Sequence, residues 1–548
     1  MRTFVALLCL STLPCAAQAR RTVPFPLAGT GADLSLRAEA AAELAALEHA
    51  VLSGVPLPGG DVELVVERVR HDASELEVRL DGAPARALHD PLASCWRGRI
   101  VGSERSEVFL GFSSYGSRGW LRDGTSVWHL LTGPGEGGDW TRASARFASE
   151  EQLLGAGLSP LRACEARPRP GSQPAPLPAA SGPALAAGAP GSAVRVCRMA
   201  VETDFQLYQR FQSVPALQAY LGQLFAALSA RFDLDVDVQI QVVHLGLHSQ
   251  PNDGWSAPDT GAGAGALLDE FRLAWSGNLP NGAHLAHFLS GAALGGGVAY
   301  VGVLCSPEWG FAVSGDLSGS TPFPLVQGPL TWDFFVFGHE TGHNFGSWHT
   351  HDYCPPFDLC ATNCSGQSAC SQGTIMSYCH TCGAGMANIQ LAFHPGTADV
   401  MRQAVASSCL PVLCAGAQSY CGSAPNSYDP FGAYLSHWGS NRISRNDLVL
   451  AATGVPPGTS GLFFYGANAV QTPFGNGWRC VGNPLFRLGV VPANPFGEAN
   501  LAVNYATLPA NGQISAGQTW NFQYWYRNPA GGGAGFNLSD ALRLQFCP

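Results

Sequence analysis

One run of eleven residues constrains the fold of this chain more than any other feature: HETGHNFGSWH, from His339 to His349. Residues four apart on an α-helix lie on the same face, so His339 and His343 can bind one metal ion together. Gly346 can adopt a positive φ, which ends the helix and turns the chain back. The run therefore predicts a helix, a sharp turn and a third histidine at the same ion.

Three protein ligands leave the fourth position of a tetrahedral zinc site open for water, which is typical of catalytic sites. Glu340 stands beside the first ligand, where a carboxylate can hold that water and take its proton. The short HExxH pattern also occurs by chance, but the segment GTIMSY follows at 373–378 and matches the Met-turn that accompanies the longer motif. The combination predicts a catalytic zinc site.

These residues give the chain a resemblance to the metzincin zinc endopeptidases, most closely to the reprolysin (adamalysin-like) family. The resemblance covers about residues 195–410 and includes HNFG at 343–346 and GVAYVGVLCSP at 297–307. It implies an enzyme that hydrolyses peptide bonds in proteins, with substrate extended along an edge strand that includes Ala299–Val303. The resemblance assigns the site residues: zinc ligands His339, His343 and His349, catalytic base Glu340, and Met376 below the metal.

The sequence departs from the reprolysin pattern at two positions. Thr350 follows the third ligand where reprolysins usually carry Asp, and His351 comes next, although the spacing favours His349 as the ligand. Tyr378 stands two residues after the methionine, where reprolysins tend to have Pro. Astacins and serralysins have a Tyr there that contacts zinc or helps to stabilise the oxyanion. Tyr378 is therefore a candidate catalytic residue, and the alternative is a packed tyrosine.

At 548 residues the chain is longer than one hydrophobic core usually serves. Helix and strand patterns alternate in the segment with the histidines, which indicates an α/β layer with a mixed sheet. The predicted fold class is multidomain α+β, with a metzincin-type α/β catalytic domain between two β-rich regions. The predicted parts are a signal peptide (1–19), a β-rich propeptide-like domain (20–165), a Pro/Ala/Gly linker (166–194), the zinc peptidase domain (195–410) and an antiparallel β-sandwich (411–548).

The N-terminus has the pattern of a secretory signal: Arg2, an apolar run at 4–13 and the small-x-small sequence Ala17-Gln18-Ala19. The chain contains no lysine and many Ala, Gly and Arg residues, which suits a GC-rich bacterial genome. We therefore expect a secreted, extracellular protein of bacterial type. No later segment has the roughly 18 uninterrupted apolar residues of a membrane span.

Of the 17 cysteines, two belong to the signal peptide, so an odd number of 15 remains. Six lie between the third histidine and the segment after the Met-turn: Cys354, Cys360, Cys364, Cys370, Cys379 and Cys382. In an exported protein we expect disulfides there, with a second zinc site as the alternative. We also expect Cys480 to pair with Cys547, and Cys414 with Cys421.

The odd count leaves at least one thiol, and a thiolate is a good zinc ligand. Metzincin precursors often place a propeptide cysteine on the zinc. Cys164, just before the linker, is the candidate for this cysteine switch, and Cys95 is the alternative. Cleavage in the linker would then release the active enzyme.

The net charge of −10 argues against nucleic acid as a partner, because no basic surplus is available for phosphates. The expected partner is a protein or peptide substrate. Aromatic residues at 520–526 and 462–465 predict sandwich core, or alternatively a platform for glycan or cell-surface contact. Structural calcium is a further candidate ion beside the catalytic zinc. The competing function is an adhesion protein that uses the peptidase fold as a scaffold, and the intact Glu340 argues against it.

Overall fold

The computed structural model describes residues 21–29, 33–47, 49–69, 75–103, 106–124, 126–149, 164–169, 194–261, 263–319, 330–383, 385–414, 417–438, 441–443 and 446–547. The predicted signal peptide and most of the predicted linker lie outside these residues. Contacts divide the chain into two compact units, a larger one built from Thr22–Gly188 and Ala193–Leu413, and a smaller one that contains Cys414–Pro548. Among the described residues, no helix combines the length and apolar character that crossing a membrane requires.

The N-terminal region of the larger unit is a ten-stranded sheet, so the predicted β-rich character of this region is confirmed. Its strands, in the order β1-β4-β5-β8-β9-β10-β11-β12-β3-β2, are β1 (Arg21–Pro24), β2 (Leu27–Ala28), β3 (Leu34–Leu36), β4 (His49–Leu57), β5 (Gly60–Val69), β8 (Ser94–Ile100), β9 (Glu107–Phe112), β10 (Arg118–Asp123), β11 (Ser126–Gly133) and β12 (Ser144–Ser149). One helix, α1, covers Ala38–Ala45.

The sequence pattern suggests a longer helix, at 38–52, and this expectation is wrong. The helix ends at Ala45, and Ala50 and Leu52 belong to β4, where their buried side chains alternate with more exposed ones and the backbone pairs with β5. The hairpin of β4 and β5 replaced the local helical preference.

The second sheet of the larger unit is mixed, as predicted. Its path runs β13-β17-β18-β16-β14-β15-β6-β7, with β19 beside β14. Strand β14 runs parallel to both neighbours, β16 runs parallel to β18, and β17 runs antiparallel to β18. The strands are β6 (Glu77–Leu80), β7 (Ala83–Ala85), β13 (Glu165–Arg167), β14 (Val194–Thr203), β15 (Val238–Leu247), β16 (Leu285–Leu289), β17 (Gly297–Tyr300), β18 (Phe311–Ser314) and β19 (Val412–Cys414).

Helices pack against this mixed sheet. They are α2 (Phe205–Gln209), α3 (Val214–Val236), α4 (Gly263–Trp275), α5 (Leu330–Asn344) and α6 (Pro395–Ala406). The side chain of Ser213 caps α3 and Pro215 lies in its first turn, which explains the predicted break in helical pattern near this proline. Short 3-10 turns occur at Glu136–Gly138, Trp140–Arg142, Pro280–Gly282, Cys379–Thr381, Gly385–Asn388, Tyr505–Thr507, Ala510–Gly512 and Pro529–Gly531.

Both edges of the mixed sheet are covered by residues that precede the linker. Strands β6 and β7 extend it beyond β15, and β13 pairs with β17 at the other edge. The predicted start of the linker at residue 166 is therefore wrong, because Ala166 and Arg167 have their backbone paired with β17. The N-terminal region and the predicted peptidase region also share one hydrophobic core, to which the N-terminal region contributes Phe109, Trp120 and Trp140.

The smaller unit contains antiparallel sheets. A five-stranded sheet has the order β20-β29-β28-β23-β26 and a three-stranded sheet the order β21-β22-β27. Both contribute to one core, whereas the sandwich arrangement stays a prediction. The strands are β20 (Gln418–Tyr420), β21 (Tyr434–Trp438), β22 (Val449–Thr453), β23 (Ser460–Gly466), β26 (Phe486–Pro492), β27 (Ala499–Ala502), β28 (Thr519–Arg527) and β29 (Phe536–Gln545), with a separate hairpin of β24 (Ala469–Phe474) and β25 (Gly477–Val481).

The aromatic runs of this unit lie inside it. Trp520, Phe522, Tyr524, Tyr526 and Phe463 are all buried in its core. The core interpretation of the two runs is confirmed, and these rings cannot form an exposed platform. Contact with a glycan or a cell surface stays a prediction without them.

The disulfides among the described residues include Cys305–Cys409, Cys354–Cys364, Cys360–Cys379, Cys370–Cys382 and Cys421–Cys480, and Cys547 is disulfide-bonded as well. The six cysteines around the Met-turn thus form disulfides, and the alternative of a second zinc site is wrong. The expected pairs of Cys421 with Cys414 and of Cys480 with Cys547 are also wrong. Tyr420 donates a hydrogen bond to the carbonyl of Cys480, so tertiary structure brings Cys421 beside Cys480 despite their distance in sequence.

Candidate metal centre

Helix α5 brings the first two histidines together, and the loop after it brings the third. The Nε2 atom of His343 lies 3.2 Å from Nε2 of His339 and 3.2 Å from Nε2 of His349. All three side chains are buried, at 6% exposure or less. The imidazoles therefore converge on one point, as the spacing of the run predicts.

The other ring nitrogen of each histidine, Nδ1, forms a hydrogen bond to an oxygen atom. The Nδ1–H groups of His339 and His343 donate to the carbonyls of Ile375 (2.6 Å) and Ser347 (2.7 Å). The Nδ1–H of His349 donates to the carboxylate of Asp352 at 2.9 Å. These bonds fix the tautomer, so every Nε2 lone pair faces the common point, and such partners orient and strengthen metal-ligating histidines.

His339 and His343 are held in the neutral form that binds metal. Burial, with a contribution from neighbouring imidazoles, lowers the pKa of His339 and of His343 well below the ordinary value. Three lone pairs turned toward each other in a buried space repel unless a cation lies between them. Neutral imidazole nitrogen is a preferred ligand of zinc, so the residues present fit a zinc ion.

The turn after α5 follows the sequence prediction. Gly346 has a φ of +98°, and its N–H donates to the carbonyl of His343 at 2.8 Å. That same carbonyl also accepts from the N–H of Gly302 at 2.9 Å, just beyond β17. The Asn344 side chain donates to the carbonyl of Tyr300 at 2.9 Å. The end of the ligand helix is thus tied to β17 and to the residues that follow it.

Glu340 lies beside the histidines with its side chain fully buried. Burial raises the pKa of its carboxyl well above the ordinary value, and the nearby Cys164 thiol partly opposes this shift. Gly297 in β17 makes room for it, because a Cβ at this position would overlap Oε1 of Glu340. A buried carboxyl with a raised pKa next to a metal centre can both accept and return a proton.

The Met-turn lies directly below the histidines. The N–H of Thr350 donates to the carbonyl of Met376 at 2.9 Å, and His339 is bonded to Ile375. The Met376 side chain is fully buried, and a Cβ added to Gly342 would stand only 2.5 Å from its sulfur. Gly342, between the two helical histidines, therefore lets the sulfur approach the helix.

Two further aromatic side chains stand beside the third histidine. The ring centroid of Tyr378 lies 4.5 Å from that of His349 and 6.3 Å from that of His339. Burial raises the pKa of the Tyr378 phenol, so it stays a hydrogen-bond donor. His351 stacks on His349 with 5.1 Å between centroids. The structure thus brings Tyr378 to the site, and it is His349 rather than His351 that joins the other two ligands.

Of the two candidate switch cysteines, Cys164 is the one at the metal centre. Its sulfur and ligand atoms of His339 and Glu340 all lie within 4.8 Å of one another. Burial and the adjacent Glu340 raise the pKa of the Cys164 thiol. Cys95 lies in β8 of the N-terminal sheet, where burial raises its pKa to about 12. Cys95, Cys164 and Cys197 are the free cysteines of the described residues.

Sequence reasoning missed three residues that shape this site. Asp352 orients His349, Gly342 admits Met376, and Gly297 admits Glu340. Asp352 gave a local signal, since a carboxylate three residues after a ligand can reach its ring. Gly297 gave none, because its partner is distant in sequence.

Comparison with known protein families gives a match to one metallopeptidase family. Residues 193–390 match the family Reprolysin_5, described as metallo-peptidase family M12. No curated protein sequence matches the chain. One similar solved structure is the crystal structure of metalloproteinase-II from Bacteroides fragilis, at 9% identity and a TM-score of 0.37, over 61% of this chain and 91% of that one. The family match confirms that residues 193–390 resemble the reprolysin-like M12 metallopeptidases.

Proposed function

We propose that this chain is a secreted zinc-dependent endopeptidase of the metzincin type, made as a latent precursor. The observation that carries the proposal is the convergence of three Nε2 atoms beside the buried carboxyl of Glu340. The match to an M12 metallopeptidase family supports it independently. The disulfides suit an oxidising, extracellular compartment.

His339, His343 and His349 would hold the zinc ion. When bound, zinc supplies Lewis-acid activation of a water molecule and of the scissile carbonyl. Glu340 takes the proton from the attacking water and delivers it to the leaving amine. Burial of Glu340 stabilises the protonated acid that this transfer forms, because burial favours the neutral form of a carboxyl.

Two further residues support these steps. Met376 packs below the histidines, and its contact with Gly342 fixes the distance between helix α5 and the Met-turn. The Tyr378 phenol, close to His349, is placed to donate a hydrogen bond to the oxyanion that develops on the carbonyl. The substrate would pair with β17 as an added strand, which presents backbone groups at its outer edge.

In the precursor, the segment before the linker occupies this edge. Strand β13 pairs with β17, and Cys164 immediately before it reaches the metal centre, where its thiolate would be a fourth ligand. Substrate and water are then both excluded. Cleavage beyond residue 169 and departure of this segment would open the site.

The catalytic assignment is tested with the Glu340→Gln variant. The amide keeps the shape of the side chain but cannot accept the water proton, so we expect the zinc content to stay at one per chain while casein cleavage falls by about 10³-fold or more. Chelation should abolish cleavage by the unmodified chain. A matured chain that binds zinc and cleaves nothing would favour the adhesion alternative.

The latency assignment is tested by comparing two propeptide thiols. In the uncleaved chain, Cys164→Ser removes the proposed zinc ligand and should raise peptidase activity, whereas Cys95→Ser should leave latency intact. Zinc loading should also protect Cys164, and not Cys95, from alkylation after partial denaturation. Equal behaviour of the two variants would contradict the role of Cys164.

A further inference from the structure

A side chain of the covering segment is seated in a defined place on the catalytic region. Arg167, the last residue of β13, stands opposite Tyr300 in the strand pairing, and its carbonyl accepts from the N–H of Val301 at 3.0 Å. Side chains directly opposite each other on paired strands lie on the same face of a sheet. Arg167 therefore points to the face that carries helix α4.

Helix α4 provides space at a glycine and a carboxylate for this guanidinium. Nη1 of Arg167 lies 3.6 Å from Oδ2 of Asp269, while Oδ1 of Asp269 accepts from the Tyr300 hydroxyl at 3.1 Å. Gly265 lies one helical turn before Asp269, and a Cβ there would overlap Nη2 of Arg167. We call these three residues, Gly265, Asp269 and Tyr300, the Asp269 subsite.

Two other charged side chains lie near this guanidinium, Glu165 on the covering segment and Arg272 on helix α4. Glu165 lies 3.2 Å from Nε of Arg167, but it belongs to the segment and would leave with it. Arg272 of α4 stands over the ring of Trp309, 4.5 Å from its centroid. After the segment has left, Asp269 keeps its contact with the Tyr300 hydroxyl, which Arg272 also approaches, and loses the guanidinium of Arg167.

We propose that the Asp269 subsite of the matured enzyme binds an arginine or lysine side chain of the substrate. This inference rests on the proposed peptidase function. A substrate strand that replaces β13 on β17 places one residue opposite Tyr300, with its side chain over Gly265 and toward Asp269. Cys164 at the metal centre precedes Arg167 by three residues, so the basic side chain lies about three residues from the bond that is cleaved.

The side of the bond on which the basic residue falls follows from strand direction. A peptide antiparallel to β17 has its amino-terminal part over Tyr300, and a parallel one, like β13, has its carboxyl-terminal part there. Peptide pairs with the basic residue on either side of the scissile bond cover both directions.

The experiment uses the full chain matured by limited proteolysis within residues 170–193, with loss of residues up to 169 verified by mass spectrometry. Fluorogenic peptides that differ only in arginine or glutamine, three residues before or after the bond, are compared by kcat/KM. We expect arginine to be preferred about fivefold on one side, as a partly exposed ion pair allows.

Asp269→Asn keeps an acceptor for Tyr300 and removes the charge, so the preference should fall to about one. Glu308→Gln removes an exposed acid from the same region and should leave the preference unchanged. Arginine and glutamine peptides that are cleaved equally by the unmodified enzyme, or a preference that survives Asp269→Asn, would overturn the inference. Failure to cleave any peptide or casein would instead overturn the peptidase function.

Inhibition by a peptide that is not cleaved tests binding at the Asp269 subsite independently of turnover. A synthetic peptide of residues 164–169 with serine in place of Cys164 should inhibit the matured enzyme more strongly than its Arg167→Gln analogue. The difference between the two inhibition constants should disappear in the Asp269→Asn enzyme. A difference that persists in that variant would show that the guanidinium is recognised elsewhere and would contradict the proposal.

Discussion

A carboxylate outside the ligand set decides how the third histidine ring is turned. His349 follows the helix end, where the loop alone allows several ring orientations, and Asp352 selects one through its bond to Nδ1–H. The bond also polarises the ring and makes Nε2 a better donor to a metal. Among the residues that the sequence analysis missed, Asp352 is the one whose spacing from His349 could have revealed it.

We expect Asp352→Ala to weaken zinc binding by about 10- to 100-fold, because His349 loses its orienting partner. Asp352→Asn should lose less, since its amide oxygen still accepts a hydrogen bond. Competition with a chromophoric chelator measures the affinity, and Glu308→Gln serves as a control for the loss of a negative charge. An affinity in Asp352→Ala equal to that of the unmodified chain would contradict this role.

Helix α5 contains two glycines that look equivalent in the sequence and differ in their surroundings. Gly338 and Gly342 are four residues apart and therefore lie on the same side of the helix. A Cβ at Gly342 would stand 2.5 Å from the Met376 sulfur, whereas one at Gly338 would meet Ile375 at 3.5 Å, an ordinary contact. Only tertiary structure distinguishes them.

Gly342→Ala should therefore destabilise the chain by about 1–3 kcal/mol through overpacking against Met376. Gly338→Ala should be neutral or stabilising by up to about 1 kcal/mol, because alanine favours the helix. Denaturant unfolding of the full chain measures both. A larger loss in Gly338→Ala than in Gly342→Ala would show that the Met-turn does not limit the space at this helix.

The elements of the catalytic region could be predicted because their signals are local. The spacing of His339 and His343 and the glycine at 346 gave the ligand helix α5 and its end. The partners of elements could not be predicted. Nothing near Glu77–Leu80 shows that it pairs with β15 rather than within the N-terminal sheet, because its partner lies some 160 residues later. The pairing of Cys421 with Cys480 escaped prediction for the same reason.

At the scale of the larger unit, the N-terminal region is built into the catalytic region. Arg97 of β8 bonds to Glu67 at 2.5 Å and to Asp233 of α3 at 3.0 Å, and all three side chains are less than 20% exposed. The Arg118 side chain is buried and stands over the rings of Trp140 and Tyr220. Such contacts hold two chain segments together without a covalent link.

We therefore expect the N-terminal fragment to dissociate slowly after cleavage within residues 170–193, so that both fragments first elute together in gel filtration and peptidase activity appears as they separate. Arg97→Ala should weaken this association by about 3 kcal/mol, because it removes the guanidinium that bridges Glu67 of the N-terminal sheet and the buried Asp233 of α3. Arg142→Ala, which removes an arginine side chain that is 84% exposed, is the control. Separation of the unmodified fragments immediately after cleavage would contradict the expectation.

Three of the disulfides cross-link the segment between the third histidine and the residues just after the Met-turn. One of them, Cys360–Cys379, ends one residue beyond Tyr378. The shape of the metal centre therefore depends on oxidation of these thiols, which reducing compartments prevent. For the secreted peptidase proposed above, the chain would lack the rigid floor of its site before export. Reduced thiols would then protect the producing cell from proteolysis earlier than the covering segment does and independently of it.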